Sequence, residues 1–245
     1  MKKKTRRRLR WLFILILILA AVTSLSVLYI KTELFRPMGI TLSNSRFPIR
    51  GIDISKHNGI IDFDALEVEH VRFIFIKASE GVTHVDQRME ANFRHAQEHG
   101  IAAGFYHFFR FTNNGLEQAN AFLEALKGAH PDLPPVVDVE DHLNLHVHST
   151  AEKIAQLKIF IDAIESVLKR KVIIYTNEDG YRKYVRGHFS NNPLWIASFN
   201  DPPRVDARWI IWQHSHNGRI AGINGHVDLN VFNGDEQAFQ QFLAQ

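Results

Sequence analysis

The chain has 245 residues, 45% of them hydrophobic and 22% charged, which excludes a disordered or fibrous protein and leaves room for one β/α barrel. It has no cysteine, so disulfides, thiolate nucleophiles and cysteine-ligated zinc are excluded. The net charge of +3 arises in residues 1–10, which carry seven basic and no acidic side chains. The other 22 basic residues face 26 acidic ones, a balance that argues against a nucleic-acid-binding domain.

Residues 11–30 read WLFILILILAAVTSLSVLYI, without a charge. Twenty residues in a helix span about 30 Å, the thickness of a bilayer core. The basic tail before them predicts a cytoplasmic N-terminus and the rest of the chain outside the cytoplasm, periplasmic or extracellular. A single-pass signal anchor in the cell membrane is therefore expected, with a cleaved signal peptide as the alternative. Residues 31–49 mix charge with Pro37, Gly39, Asn44, Ser45 and Pro48 and read as a linker; the globular domain is expected over 50–245.

From Arg50 onward, short apolar runs alternate with helical stretches. Strands are predicted at 51–54, 72–78, 102–108, 135–139, 171–175, 194–197, 209–213 and 225–229. Most are nearly continuous apolar runs, as in strands covered on both faces. Helices are predicted at 87–99, stopped by Gly100, at 115–126 after Asn113 and Asn114, from a Thr150 cap to about 170, and at 237–243. The expected fold is α/β: an irregular, TIM-like barrel of eight parallel strands, helix-poor in its last third.

Barrels of this type place working residues at the C-terminal ends of strands. Asp53 in GIDIS, Asp138 and Glu140 in PPVVDVED, and Asp228 in HVDLNVF all fall there, each within apolar sequence. Burying an unpaired carboxylate costs several kcal/mol, so such positions need a reason. Asp138 and Glu140 are two apart on a strand and share a face. Two close carboxylates oppose each other's ionisation, which predicts that Glu140 is held protonated by Asp138 and burial. A protonated acid beside an ionised one suits glycoside hydrolysis. Metal binding or structural pairing also uses such a pair.

The segments GIDISKHNGIIDF, FIFIKASEG, GFYHFF, PPVVDVED, IIYTN, LWIASF, WIIWQHS and GHVDLNVFNG occur in one order from about Arg50 to Phe242. Together they resemble glycoside hydrolase family 25, the lysozymes of the N-acetylmuramidase type. The resemblance implies hydrolysis of the β-1,4 bond between N-acetylmuramic acid and N-acetylglucosamine in the peptidoglycan glycan strand. It implies Glu140 as general acid/base and Asp138 as its partner, either a nucleophile or the group that orients the substrate's acetamido oxygen. Asp53 and Asp228 become supporting carboxylates, and Tyr106, Tyr175, Trp195 and Gln213 substrate-binding residues. Lys77 and Glu80 form an ion pair near the mouth or line the cleft.

A metal-dependent hydrolase is the first rival, because His146 and His148, and His214 and His216, form H-x-H pairs. The strand ends carry carboxylates and aromatics instead, so no metal and no cofactor is expected. The second rival is a non-catalytic barrel that binds peptidoglycan and tethers membrane to wall; the intact carboxylate set argues against it. Beyond the glycan strand and the membrane no partner is predicted, and the chain is expected to be a monomer.

Overall fold

A computed structural model describes residues 46–244 except 142–147 and 200, together with Trp11, Phe13, Ile14, Val22, Thr23 and Ser24. Contacts divide the chain into two units, Met1–Pro37 and Met38–Gln245. The expected membrane span at 11–30 lies, apart from six helical positions, outside the described residues, as does most of the linker. Among the described residues no helix is long and apolar enough to cross a membrane.

In the second unit the chain runs β1 (Arg50–Ile54), α1 (Phe63–Val68), β2 (Val71–Glu80), β3 (His84–Val85), α2 (Met89–Glu98), β4 (Ala102–Phe108), α3 (Gly115–Ala125) and β5 (Val136–Asp138). It continues through α4 (Thr150–Leu168), β6 (Ile173–Asn177), β7 (Leu194–Ala197), β8 (Trp209–Gly218), β9 (Val227–Phe232) and α5 (Glu236–Leu243). A 3-10 turn, Lys56–Asn58, follows β1, and a π-helical stretch, Tyr181–Val185, follows β6. The sheet order β1-β9-β8-β7-β6-β5-β4-β2 closes through β1–β2 pairing, so eight described strands form a ring, with β3 hairpinned onto the end of β2.

All eight predicted strands are present. One expectation fails: the ring is not wholly parallel. The β8–β9 connection is short, a crossover helix does not fit in it, and β9 therefore returns antiparallel between β8 and β1. The cap of α4 is also one residue earlier than expected. Ser149, not Thr150, accepts from Glu152 N at 3.3 Å, while the Glu152 carboxylate accepts from Ser149 N at 2.8 Å, a reciprocal capping box. The folded unit takes in Phe47 and Ile49, ahead of the expected start at Arg50. Phe47 packs edge-on against Trp212 at 5.6 Å, and Ile49 lies in the barrel core.

Alternation along each strand sorts the side chains into two cores. Ile52, Ile54, Ile74, Ile76, Val137 and Ile174 face outward to the helices. Phe73, Phe75, Val136, Ile173, Trp195, Ile211 and Phe232 fill the barrel. Gly51 is needed beside them, since a Cβ there would lie 2.4 Å from the Phe73 ring. Phe239 and Phe242 of α5 pack on Phe73 and Phe232 and close the end where β1 and β2 begin. The other end stays open, and there the inward positions change from apolar to ionisable.

Candidate active site

The open end holds a cavity of about 430 Å³ lined by Asp53, Lys77, Tyr106, Asp138, Glu140, Tyr175, Trp195, Gln213 and Asp228, with Ser55, His57, Phe108, Phe199 and His216 at its walls. The four expected carboxylates and the four expected binding residues thus share one pocket. They come from β1, β4, β5, β6, β7, β8 and β9, and inward alternation places each of them.

Asp53 and Asp228 are direct partners in the antiparallel β1–β9 pair. Burial raises Asp228, the charge of Asp53 and their mutual hydrogen bond raise it further, and Glu140 adds to this, bringing it to about 9. Asp228 therefore keeps its proton at neutral pH and donates it to Asp53. Burial also raises Asp53, but hydrogen bonds from Asn230, Gln213 and Asp228 oppose that rise. Asn230 Nδ2 and Gln213 Nε2 donate to Asp53 Oδ2 at 2.7 and 2.9 Å.

Those two amides are themselves held. Tyr175 donates through its hydroxyl to Gln213 Oε1 at 2.8 Å, and Trp195 Nε1 donates to Asn230 Oδ1 at 2.8 Å. The rings of Tyr175 and Trp195 meet edge-on at 4.8 Å. Trp195 is only 2% exposed, so its indole spends its hydrogen bond on the carboxylate network and offers little face to the cavity. Tyr106, half-buried at the wall, is the more open aromatic ring. Burial and the surrounding carboxylates hold both tyrosine hydroxyls well above their ordinary range, so both stay protonated.

Asp138 ends β5 and is buried. Burial first, then the charges of Glu140 and Asp53, push it well above the usual carboxylate range, with Lys77 pulling the other way. Its Oδ1 is enclosed and has no hydrogen-bond partner among the described residues. Glu140 is the more open of the two. The sequence argument had burial acting on Glu140, whereas the fold puts it on Asp138, because Asp138 still lies inside the ring and Glu140 stands beyond its edge. Asp138 therefore keeps a proton at pH values where an isolated carboxyl has lost it.

Lys77 and Glu80 do pair, at 2.5 Å, and Arg110 joins from the loop after β4. Burial would raise Glu80, but bonds from Lys77 and Arg110 outweigh it and hold the carboxyl at about 2. Lys77 and Arg110 both lie over the Phe108 ring, at 5.0 and 4.8 Å.

His146 lies outside the described residues. Of the other expected pair, His214 packs edge-on against Trp212 at 5.8 Å, while His216 meets Phe199 at 4.4 Å and lines the cavity. They diverge because the ladder slips between Gln213 and Ser215, leaving His214 as a bulged residue. The bulge shifts the alternation, so Gln213 and His216 point inward together. Among the described residues no group of three His, Asp or Glu side chains is arranged to hold a metal ion.

The sequence reading missed Asn230, His57 and Phe199, and took His216 only as half of an H-x-H pair. Asn230 follows Asp228 by two and so shares its face, a signal that was present. His216 was hidden by the bulge.

A closed barrel whose open mouth gathers carboxylates under aromatic walls is the architecture of a glycoside hydrolase. The sequence from 52 to 223 matches the family model described as glycosyl hydrolases family 25, and the chain belongs to that family. It is 32% identical over 200 residues to Lysozyme M1 of Streptomyces globisporus, spanning 76% of this chain and 68% of that protein. It is also 32% identical over 204 residues to the uncharacterized protein YegX of Escherichia coli strain K12, spanning 80% and 74%. A family 25 glycosyl hydrolase from Bacillus anthracis superposes with a TM-score of 0.78 at 30% identity, covering 83% of this chain and 96% of that one.

Proposed function

We propose that this enzyme is a lysozyme of the N-acetylmuramidase type, cutting the β-1,4 bond between N-acetylmuramic acid and N-acetylglucosamine in peptidoglycan. The observation that carries the reading is the placing of Asp138 and Glu140 side by side at the mouth, one buried and one open to the cleft. Similarity to Lysozyme M1 supports the substrate class.

Glu140 gives its proton to the glycosidic oxygen as the bond from that oxygen to the anomeric carbon breaks. A new bond to the anomeric carbon forms from the opposite side, made by the substrate's acetamido oxygen or by the Asp138 carboxylate. Burial holds the Asp138 carboxyl well above the usual carboxylate range, which makes it a poor anionic nucleophile and favours the first route. Water then adds at the same carbon, returning its proton to Glu140, and the configuration is retained. Asp53, fixed by Asn230, Gln213 and Asp228, keeps a negative charge near the positive charge that develops on the sugar.

The uncharged stretch 11–30 behind seven basic residues supports a membrane anchor with the barrel outside the cytoplasm, acting as a monomer on nearby glycan. Protease added to intact spheroplasts should digest the barrel and spare the N-terminus; protection of the barrel would reverse the orientation.

For the activity, purified peptidoglycan is digested with the full chain and with Glu140→Gln, and the reduced products are read by mass spectrometry. New reducing-end muramic acid from the wild type alone is the expected result. Reducing-end glucosamine would change the bond cut. No product from either protein, with binding retained, would make the barrel a wall-binding module.

A further inference from the structure

Glu140 follows a backbone anchor that lies just past β5. That anchor is Val139, whose N–H donates to Tyr175 O at 2.9 Å and whose carbonyl accepts from Thr176 Oγ1 at 2.7 Å. The next residue, Asp141, is fixed through its side chain by two lysines from different elements. Lys153 Nζ of α4 lies 3.0 Å from Asp141 Oδ1, and Lys183 Nζ of the π-helical stretch bonds Asp141 Oδ2.

Lys153 is an unexpected residue in its position. It stands in the first turn of α4, where the helix dipole disfavours a cation, and it is only 4% exposed. Burying an ammonium costs several kcal/mol unless it is paired. Its surroundings supply the compensation: Asp141, the Tyr184 hydroxyl at 3.5 Å, and the rings of Phe111 and Tyr184 at 5.1 and 5.7 Å. Burial would raise Asp141, but Lys183, Tyr184 and Lys153 hold it at about 2, so its carboxylate is ionised at neutral pH. Tyr184 is fully buried, and a π-helical turn is what brings it and Lys183 to the same carboxylate.

We propose that Lys153 and Lys183 are positioning residues for the reaction: by clamping Asp141 they fix the chain on the far side of Glu140 and so aim its carboxyl into the cleft. This rests on the reading of Glu140 as the acid. Neither lysine lines the cavity. Without the clamp the chain just after Glu140 would lose both of these ion pairs, and a misplacement of about 1 Å at a reacting group costs up to about a hundredfold in rate.

The test uses the full-length chain in detergent and a soluble tetrasaccharide alternating N-acetylglucosamine and N-acetylmuramic acid. Lys153→Met, Lys183→Met and Glu140→Gln are compared with wild type for kcat, KM and thermal melting. Lys153→Met is expected to melt cooperatively and to lose about tenfold or more in kcat, with KM within about twofold. Lys183→Met, at a half-exposed position, is expected to lose about threefold. A role in stability alone would move the melting temperature and leave kcat of the folded variant at the wild-type value, and that result overturns the proposal. Should Lys153→Met not fold, a wild-type kcat for Lys183→Met overturns it equally. Wild-type cutting by Glu140→Gln would instead remove the assignment of Glu140, and the clamp's catalytic meaning with it.

Discussion

Asp53 and Asp228 stand opposite each other on β1 and β9, and one proton joins their carboxyls. Each lies at an inward position, so neither can turn away without leaving the barrel. A carboxyl raised on folding stabilises the protein fully below its unfolded pKa, and that contribution is lost as pH rises through the folded value. For Asp228 the window runs from 3.8 to about 9. Asn at this position donates to Asp53 without ionising. Asp228→Asn should therefore melt above wild type at pH 8 and lose that advantage at pH 4, by calorimetry. A lower melting temperature than wild type at pH 8 would refute the protonated state.

Removing the acid at Glu140 should reduce kcat by about 10²–10⁴ and leave glycan binding intact. The wild-type rate should also fall as pH rises past the upper pKa of the Asp138–Glu140 pair, because the proton to be donated is then gone. A rate that stays flat from acid to alkaline pH would dismiss the pair as the proton source.

Trp195→Phe keeps the ring contacts and removes one N–H. Asn230 Oδ1 is then buried without its donor, and the expected loss is about 1–3 kcal/mol in urea unfolding. Catalysis should weaken too, since Asn230 is one of the donors to Asp53. Unchanged stability and rate would mean that the indole serves packing alone.

Burial, with Arg50 nearby, lowers His214 to about 4, and its Nδ1 has no hydrogen-bond partner among the described residues. A histidine lowered on folding contributes stability above 6.5, and loses it as pH falls through about 4. His214→Phe should remove that share of the acid sensitivity, raising the melting temperature relative to wild type more at pH 4 than at pH 7. An equal offset at both pH values would show that His214 does not titrate in this window.

Dialysis against excess chelator should leave hydrolysis of peptidoglycan unchanged, since the proposed steps use carboxylates alone. Loss of activity restored by a divalent cation would revive the metal-dependent reading.

Much of the fold was legible because a strand buried on both faces needs an almost continuous apolar run, and most of the ring strands give one. The same apolar context made Asp53, Asp138 and Asp228 conspicuous, because a carboxyl there is costly. The spacing of Asp138 and Glu140 placed both on one face, but which of them is buried depends on where the ring ends. The antiparallel return of β9 follows from a connection too short for a crossover, a constraint visible only as a gap between predicted strands.

The sequence by itself determined the barrel class, the four mouth carboxylates and the family, because local periodicity and ordered motifs carry that information. Tertiary structure alone decided who shares protons and who holds whom. Asn230 and Asp53 are 177 residues apart and meet because β9 inserts beside β1. His216 faces the cavity because a bulge shifts the alternation of β8. Lys153 meets Asp141 because the fold brings the first turn of α4 to the chain just past β5. The Asn230–Asp53 and Lys153–Asp141 contacts depend on distances of about 3 Å, which only the folded chain sets.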